Sequence, residues 1–153
     1  MKLRLLWVGK TQEEWLKSGI DEYRRRIGRY FPIEISEVRE EKGAEAETMR
    51  QKECERLEKA LARGSRLVLL DERGEELTSP QFADVIGRYR DSGTQELAFA
   101  IGGAYGFSES FRSRAHRTVA LSRMTFTHQM VRLFLVEQIY RGCTILNNEH
   151  YHH

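Results

Sequence analysis

Hydrophobic and polar positions along the chain switch repeatedly between a strand period and a helix period. Leu3, Leu5, Leu6, Trp7 and Val8 mark Lys2–Val8 as a first strand. Leu16, Ile20, Tyr23, Ile27 and Tyr30 then recur at helical spacing, which predicts one face of a long amphipathic helix. Thr11 is its expected N-cap, Glu13 and Glu14 suit its first turn, and Pro32 follows its end. Ile33–Val38 reads as a second strand, with Ile33 and Ile35 alternating against Glu34 and Ser36. A polar stretch with Gly43 leads to a helix expected over Ala44–Arg63, using Met49, Leu57 and Leu61 and closed by Gly64. Cys54 is expected to face the core from it. Arg66–Leu70 is a third strand, closed by a turn at Asp71-Glu72-Arg73-Gly74. Thr78 or Ser79 caps the next helix, which tolerates Pro80 in its first turn and buries Phe82, Val85, Ile86 and Tyr89.

The run Leu97–Ile101 is continuously apolar and short, the pattern of a strand buried on both faces. It breaks into Gly102, Gly103 and Gly106, where the backbone can approach a ligand or simply turn tightly. Ser108 caps a short helix with Phe111 inward. Thr118–Leu121 is a fifth strand, followed by the loop Ser122–Phe126. Thr127 or His128 opens a last helix carrying Val131, Phe134, Leu135, Gln138 and Ile139, ending near Arg141-Gly142. Strands interleaved with helices throughout predict one α/β domain over residues 1–153, a mostly parallel sheet with helices on both faces. In such a sheet, loops after the later strands share one edge. Leu70-Asp71-Glu72, Gly102–Gly106 and Leu121–Phe126 can therefore converge on one pocket.

Familiar ligand signatures are missing. No G-x-G-x-x-G follows the first strand, and neither a P-loop nor a G-x-S-x-G elbow occurs. These absences disfavour an ordinary dinucleotide domain, a P-loop nucleotidase and a serine hydrolase. The 153 residues carry a net charge of only +2, so bulk charge does not announce a nucleic-acid binder. Its distribution is more suggestive. Acidic residues crowd Glu34–Glu58, while Arg112, Arg114, Arg117, Arg123, Arg132 and Arg141 dominate the later chain. Arginine can grip phosphate with a bidentate fork, although scattered charges also serve as a solvated face. Cys54 and Cys143 are far apart and lie in no metal-ligand pattern, and the His-rich end has no partner cluster, so no metal is expected. No apolar run approaches the ~20 residues of a membrane span and no signal-peptide pattern opens the chain, which points to the cytoplasm.

Four stretches together carry a resemblance. They are Ile101-Gly102-Gly103-Ala104-Tyr105-Gly106, the run Leu121 to Arg132 (Leu-Ser-Arg-Met-Thr-Phe-Thr-His-Gln-Met-Val-Arg), Glu137-Gln138-Ile139-Tyr140-Arg141, and Asn147-Asn148-Glu149-His150-Tyr151-His152. With Met1-Lys2-Leu3 and Leu70-Asp71 followed by Gly74, the whole chain resembles the RlmH (YbeA) family of the SPOUT superfamily. The resemblance implies a homodimeric methyltransferase with a C-terminal trefoil knot. It implies transfer of a methyl group from S-adenosylmethionine to N3 of pseudouridine 1915, in helix 69 of 23S rRNA, within the assembled ribosome.

Carried over position by position, the resemblance puts the cofactor against Leu70, Gly102, Gly103 and the run Leu121, Ser122, Arg123, Met124, Thr125 and Phe126. Met124 and Phe126 could equally be core residues. N3 of a pseudouridine is an imide, so a general base helps its attack on the sulfonium methyl. His128 at a helix start and His152 in the tail are the candidates; a structural role is equally open for His128. Arg132, Arg141, Tyr151 and His152 match positions expected to face RNA or shape the pocket, Arg132 as a catalytic residue. Arginine would hold phosphate and Tyr151 could stack on a base, whereas Tyr140 is expected to be buried in the dimer helix. The pocket is expected to be completed by the partner's tail. The sequence departs from the family pattern at Ala104-Tyr105, Thr127, His150 and His153. A non-catalytic nucleotide- or RNA-binding α/β dimer, or a SPOUT methylase with another RNA target, are the competing readings.

Overall fold

The computed structural model describes residues 1–153. Its elements run β1 (Lys2–Val8), α1 (Glu14–Ile27), β2 (Ile33–Val38), α2 (Ala46–Lys59), β3 (Arg66–Glu76), α3 (Ser79–Asp91), β4 (Glu96–Ile101), α4 (Glu109–Arg114), β5 (Arg117–Ala120) and α5 (His128–Leu146). The strands form one sheet in the order β2-β1-β4-β3-β5, and every pairing is parallel. β4 is central and buried along its whole length, which is why it reads as an unbroken apolar run.

Alternate side chains of the central strands serve two cores. Leu97, Phe99 and Ile101 join Leu3, Leu5, Trp7, Val68 and Leu70 against Leu16 and Ile20 of α1, Phe82 and Ile86 of α3, and Leu135, Val136 and Ile139 of α5. Ala98 and Ala100 point to the other face, with Leu6, Leu67 and Leu69, beneath Cys54 and Leu57 of α2 and Phe111 of α4. Helices therefore cover both faces, as expected. Both cysteines are free and buried. No helix is long and apolar enough to cross a membrane.

Several local expectations hold in detail. Thr78 caps α3 through a reciprocal capping box with Gln81. Ser108 caps α4 by accepting from Phe111 N–H, and Thr127 caps α5 by accepting from Met130 N–H. Others are corrected. Thr11 does not cap α1: Glu13 occupies that position, and the buried Thr11 hydroxyl instead donates to Glu37. α1 stops at Ile27, leaving Tyr30 in the following turn. α2 is shorter than expected and Ala60, not Gly64, caps it. α5 continues to Leu146, because Gly142 lets it pass close to Ala83 of α3 instead of ending it.

The largest difference lies in β3. The turn expected at Asp71–Gly74 is a bulge within a longer strand. Val119 pairs with both Leu70 and Glu75, so residues 71–74 loop out before the ladder to β5 resumes. A Cβ on Gly74 would lie 2.8 Å from the Thr118–Val119 backbone, so only glycine fits the return. The bulge throws Asp71, Glu72 and Arg73 out at the C-terminal edge of the sheet.

Candidate active site

Three segments meet at that edge, the bulge within β3 and the loops after β4 and β5. They enclose a cleft of about 430 Å³, within the range that holds small-molecule ligands. Leu70 and the bulge form one wall, Gly102–Phe107 the second, and Leu121 to Phe126 with His128 and Val131 the third. Thr125 Oγ1 donates to Glu72 Oε2 at 2.9 Å, tying the third wall to the first. Arg50 of α2 donates from Nε to the Tyr105 carbonyl at 2.9 Å and steadies the second.

The glycines of the second wall have separate tasks. Gly106 takes φ +75°, a left-handed conformation that disfavours side chains. Gly102 lies against the Gly106 main chain, so a Cβ there would sit 3.1 Å from Gly106 carbonyl carbon. A Cβ on Gly103 would come within 2.7 Å of Glu53 Oε1. That oxygen is buried without a hydrogen-bond partner, while Glu53 Oε2 accepts from Glu41 N–H at 3.0 Å. Burial holds the Glu53 carboxyl above its usual range. Gly102 and Gly103 thus line the cleft without side chains, the space a Cβ would need being filled by Gly106 and Glu53.

Of the residues expected to hold a cofactor, Leu70, Gly102, Gly103, Leu121, Ser122, Met124, Thr125 and Phe126 line this cleft. Met124 and Phe126 are exposed rather than packed in the core. Arg123 alone among the expected cofactor residues does not line the cleft; its exposed side chain is directed toward Glu76. His128 lines the cleft at the start of α5. Partial enclosure and the nearby positive charge of Arg132 hold its imidazole below the usual histidine range. Both effects favour the neutral imidazole, the form that accepts a proton.

Arg132 is not where its expected catalytic role requires it to be. It is 1% exposed, with Nη1 donating to Thr11 Oγ1 at 2.9 Å and Nη2 to the Val8 carbonyl at 2.8 Å. Its guanidinium lies 5.1 Å from the Trp7 ring centroid, and Nη1 is 3.7 Å from Glu37 Oε2. Nε has no partner, and burial pulls the guanidinium down from 12.5 to about 10. An arginine one helical turn beyond His128 returns to the inside of the helix, where it locks α5 onto the end of β1. It contacts neither the cleft nor solvent.

The expected RNA-facing residues of the tail gather elsewhere, on the face shared by α1 and α5. Arg141 donates to Glu137 Oε1 from Nε (3.1 Å) and Nη2 (2.5 Å), and lies 4.8 Å over the Tyr151 ring. Tyr151 donates to the same Glu137 oxygen and meets the Tyr23 hydroxyl at 3.2 Å. The edge-to-face Tyr140 ring sits 4.7 Å from the Tyr151 ring, so within one chain that ring already has its aromatic and cationic neighbours. His152 Nδ1 is 3.2 Å from Arg141 Nη1. Because arginine only donates, Nδ1 accepts and a neutral ring carries its proton on Nε2. None of Arg141, Tyr151 or His152 lines the cleft of its own chain.

Sequence reasoning missed Arg112. It enters the cleft from α4 and donates from Nη2 to Asp71 Oδ2 at 2.7 Å. It was visible only as one member of a basic run, and nothing local pairs it with a residue 41 positions earlier. Tyr105, Phe107 and Val131 also line the cleft without having been singled out as site residues.

Comparisons with known proteins bear on the family and the fold. Residues 1–152 match the family model described as "Predicted SPOUT methyltransferase". The protein named ribosomal RNA large subunit methyltransferase H from Geotalea uraniireducens (strain Rf4) is 69% identical over the full length of both chains. Its namesake from Geobacter sulfurreducens is 68% identical, again over both full lengths. Among solved structures, a probable methylase family protein from Haemophilus influenzae Rd KW20 superposes with a TM-score of 0.56 at 9% identity. That match covers 99% of this chain and 70% of the other, and it speaks for the fold alone.

Proposed function

The chain belongs to the SPOUT methyltransferase family, in its RlmH branch, and from that premise we propose that it methylates large-subunit ribosomal RNA using S-adenosylmethionine. The observation that carries the reading is the convergence of Leu70, Gly102–Gly103, Leu121–Phe126 and His128 on one cleft. The residues present fit the cofactor. Gly102 and Gly103 bring main chain to the cleft where the nucleoside can approach closely, and Leu121, Met124 and Phe126 offer apolar surface for adenine. Residues 1–153 act as one domain, and its C-terminal part forms the trefoil knot of the family.

The target is N3 of pseudouridine 1915 in helix 69 of 23S rRNA. Bound S-adenosylmethionine supplies a methyl group on a sulfonium, which leaves as a neutral thioether as the N–C bond forms. The chain's own work is to orient the imide in line, exclude water and accept the N3 proton. His128 is the base: it lines the cleft, and its surroundings favour the neutral imidazole. His152, whose Nδ1 is occupied by Arg141, serves as a donor to the substrate. Arg132 is a positioning residue that fixes the start of α5.

The active species is a homodimer. Arg141, Tyr151 and His152 lie outside their own chain's cleft, so a site using both sets needs the tail of a second copy. Exposed apolar side chains beside the cleft support this. Phe126 and Phe134 pack together at 4.9 Å and flank a second, smaller groove of about 260 Å³ lined by Leu77, Phe82 and Val119. A fully active monomer in light scattering and assay would refute it.

The deciding experiment incubates the purified protein with labelled S-adenosylmethionine and ribosomes lacking the modification, then maps any methyl group by RNA mass spectrometry. Methyl on N3 of pseudouridine 1915 is the expected result. No transfer despite cofactor binding would assign another RNA target, and no cofactor binding would leave a non-catalytic RNA-binding module.

A further inference from the structure

We propose that Arg112, held by Asp71, is the residue that recognises the α-carboxylate of the cofactor's amino-acid moiety. The assignment rests on the reading of the cleft as an S-adenosylmethionine site. The charged side chains Asp71, Glu72 and Arg73 of the bulge and Arg112 of α4 line the cleft together with apolar side chains from all three walls, among them Leu70, Phe107, Leu121 and Met124. A ligand with a nucleoside at one end and a charged amino acid at the other suits such a mixed lining.

Arg112 is built as a receptor rather than a solvated charge. Its side chain is 22% exposed and its guanidinium lies 5.6 Å from the Phe107 ring centroid. Phe107 in turn stacks on Phe111 at 5.5 Å, so the plane of the fork rests on a rigid aromatic pair. Asp71 accepts from Arg112 Nη2 with Oδ2, and from the Arg73 backbone N–H (2.9 Å) and Nε with Oδ1. Burial opposes ionisation of Asp71, but these donors outweigh it and hold the carboxyl below its usual range. The bulge after Leu70 thus supplies a fixed anion that orients the arginine through one nitrogen.

Arg112 lines the cleft, and its Nε and Nη1 make no hydrogen bond within the chain. The Gly106 Cβ position is 3.7 Å from Arg112 Nη2, and the absence of a side chain there keeps the approach open. A planar cation already oriented through Nη2, with donors on Nε and Nη1 unspent, suits a carboxylate oxygen by a charge-assisted hydrogen bond. The enclosed position favours a small ligand over an RNA phosphate, which would need an exposed arginine. Asp71 is a positioning residue acting through Arg112.

The test is calorimetric binding of two ligands to the full-length protein: S-adenosylmethionine and its decarboxylated analogue. Arg112→Met should weaken S-adenosylmethionine by about 10- to 100-fold, the worth of a charge-assisted hydrogen bond, while leaving the affinity of the decarboxylated analogue unchanged. Arg112→Lys should recover part of the loss, and Asp71→Asn should weaken S-adenosylmethionine less than Arg112→Met does. Thermal unfolding of each variant verifies the fold. Equal weakening of both ligands, or full S-adenosylmethionine affinity with ribosome binding lost instead, would overturn the assignment. Failure of the wild-type protein to bind S-adenosylmethionine would overturn the cofactor reading and this inference with it.

Discussion

Replacing Arg132 by methionine separates a structural arginine from a catalytic one. The substitution keeps an unbranched side chain in the same channel and removes the charge. It leaves the Val8 carbonyl and the Thr11 hydroxyl without their donor, a loss of roughly 1–3 kcal/mol per orphaned group. The contact with Trp7 contributes about 1 kcal/mol more. Against this stands the burial of the charge. A guanidinium drawn from 12.5 to about 10 is disfavoured by roughly 3 kcal/mol at neutral pH, at about 1.4 kcal/mol per pKa step. The relief offsets much of the loss, so Arg132→Met should lower stability by no more than about 4 kcal/mol. For a chain of this size that moves the unfolding midpoint down by roughly 15 °C at most. Arg132→Ala gains the same relief but opens a cavity, and should be clearly less stable than the methionine variant. Thermal unfolding measures both. In the methionine variant His128 loses a neighbouring positive charge, so its pKa rises and the acid limb of the methylation rate moves to higher pH. The salt dependence of ribosome binding should stay unchanged, because no phosphate contact is lost. A shallower salt dependence would show that Arg132 reaches RNA, and a fully unfolded methionine variant would refute the energetic reasoning.

Three further outcomes follow from the geometry. Gly102→Ala places a methyl group 3.1–3.3 Å from Gly106 main-chain atoms that cannot rotate away; cofactor affinity should fall by roughly 5- to 100-fold in calorimetry, as overpacking predicts. Glu96 accepts from Arg4 Nε (2.9 Å), Ala62 N–H (3.0 Å) and Ser65, and these donors outweigh its burial to hold the carboxyl below 4.5. Its contribution is therefore complete above the unfolded value of about 4.5 and lost as pH falls through the lower folded value; chemical unfolding of Glu96→Gln should show less pH dependence in that window. For His128 as base, the wild-type rate should fall as pH drops through a value below 6.5, and His128→Gln should abolish that limb in single-turnover assays while binding cofactor normally.

The fold was largely legible because its signals are local. An unbroken apolar β4, a helical stripe on α1 and side-chain caps at Thr78, Ser108 and Thr127 each depend on a few neighbouring residues. The cleft was legible for the related reason that loops after parallel strands share an edge, and eight of the expected cofactor residues meet there. The errors are equally physical. Thr11 has the chemistry of a cap, but Glu37 and Arg132 claim its hydroxyl from distant parts of the chain. Asp71–Gly74 has the composition of a turn, yet β5 supplies partners that continue the strand past it. Gly142 looks like a stop signal and is a contact with α3.

The arginines show where sequence runs out most clearly. Arg112, Arg132 and Arg141 are chemically identical among the basic residues of the later chain, and only the resemblance set Arg132 and Arg141 apart from the rest. The fold gives them three fates. Arg132 is enclosed and fixes a helix, Arg141 is held by Glu137 on α5, and Arg112 lines the cleft beside Asp71 with two nitrogens unspent. What distinguishes them is the partner each acquires from elsewhere: Thr11 and Val8 of the β1 end, a carboxylate one turn back on the same helix, and a carboxylate on a strand bulge. Only the Arg141–Glu137 pair has the i, i+4 spacing that a sequence can announce. The other two depend on β1, α5, β3 and α4 being brought to one edge of the sheet. A basic residue in such a fold is therefore assigned by asking which of its donors remain unspent and what space they face, and by that measure Arg112 has the stronger claim on a ligand than Arg132.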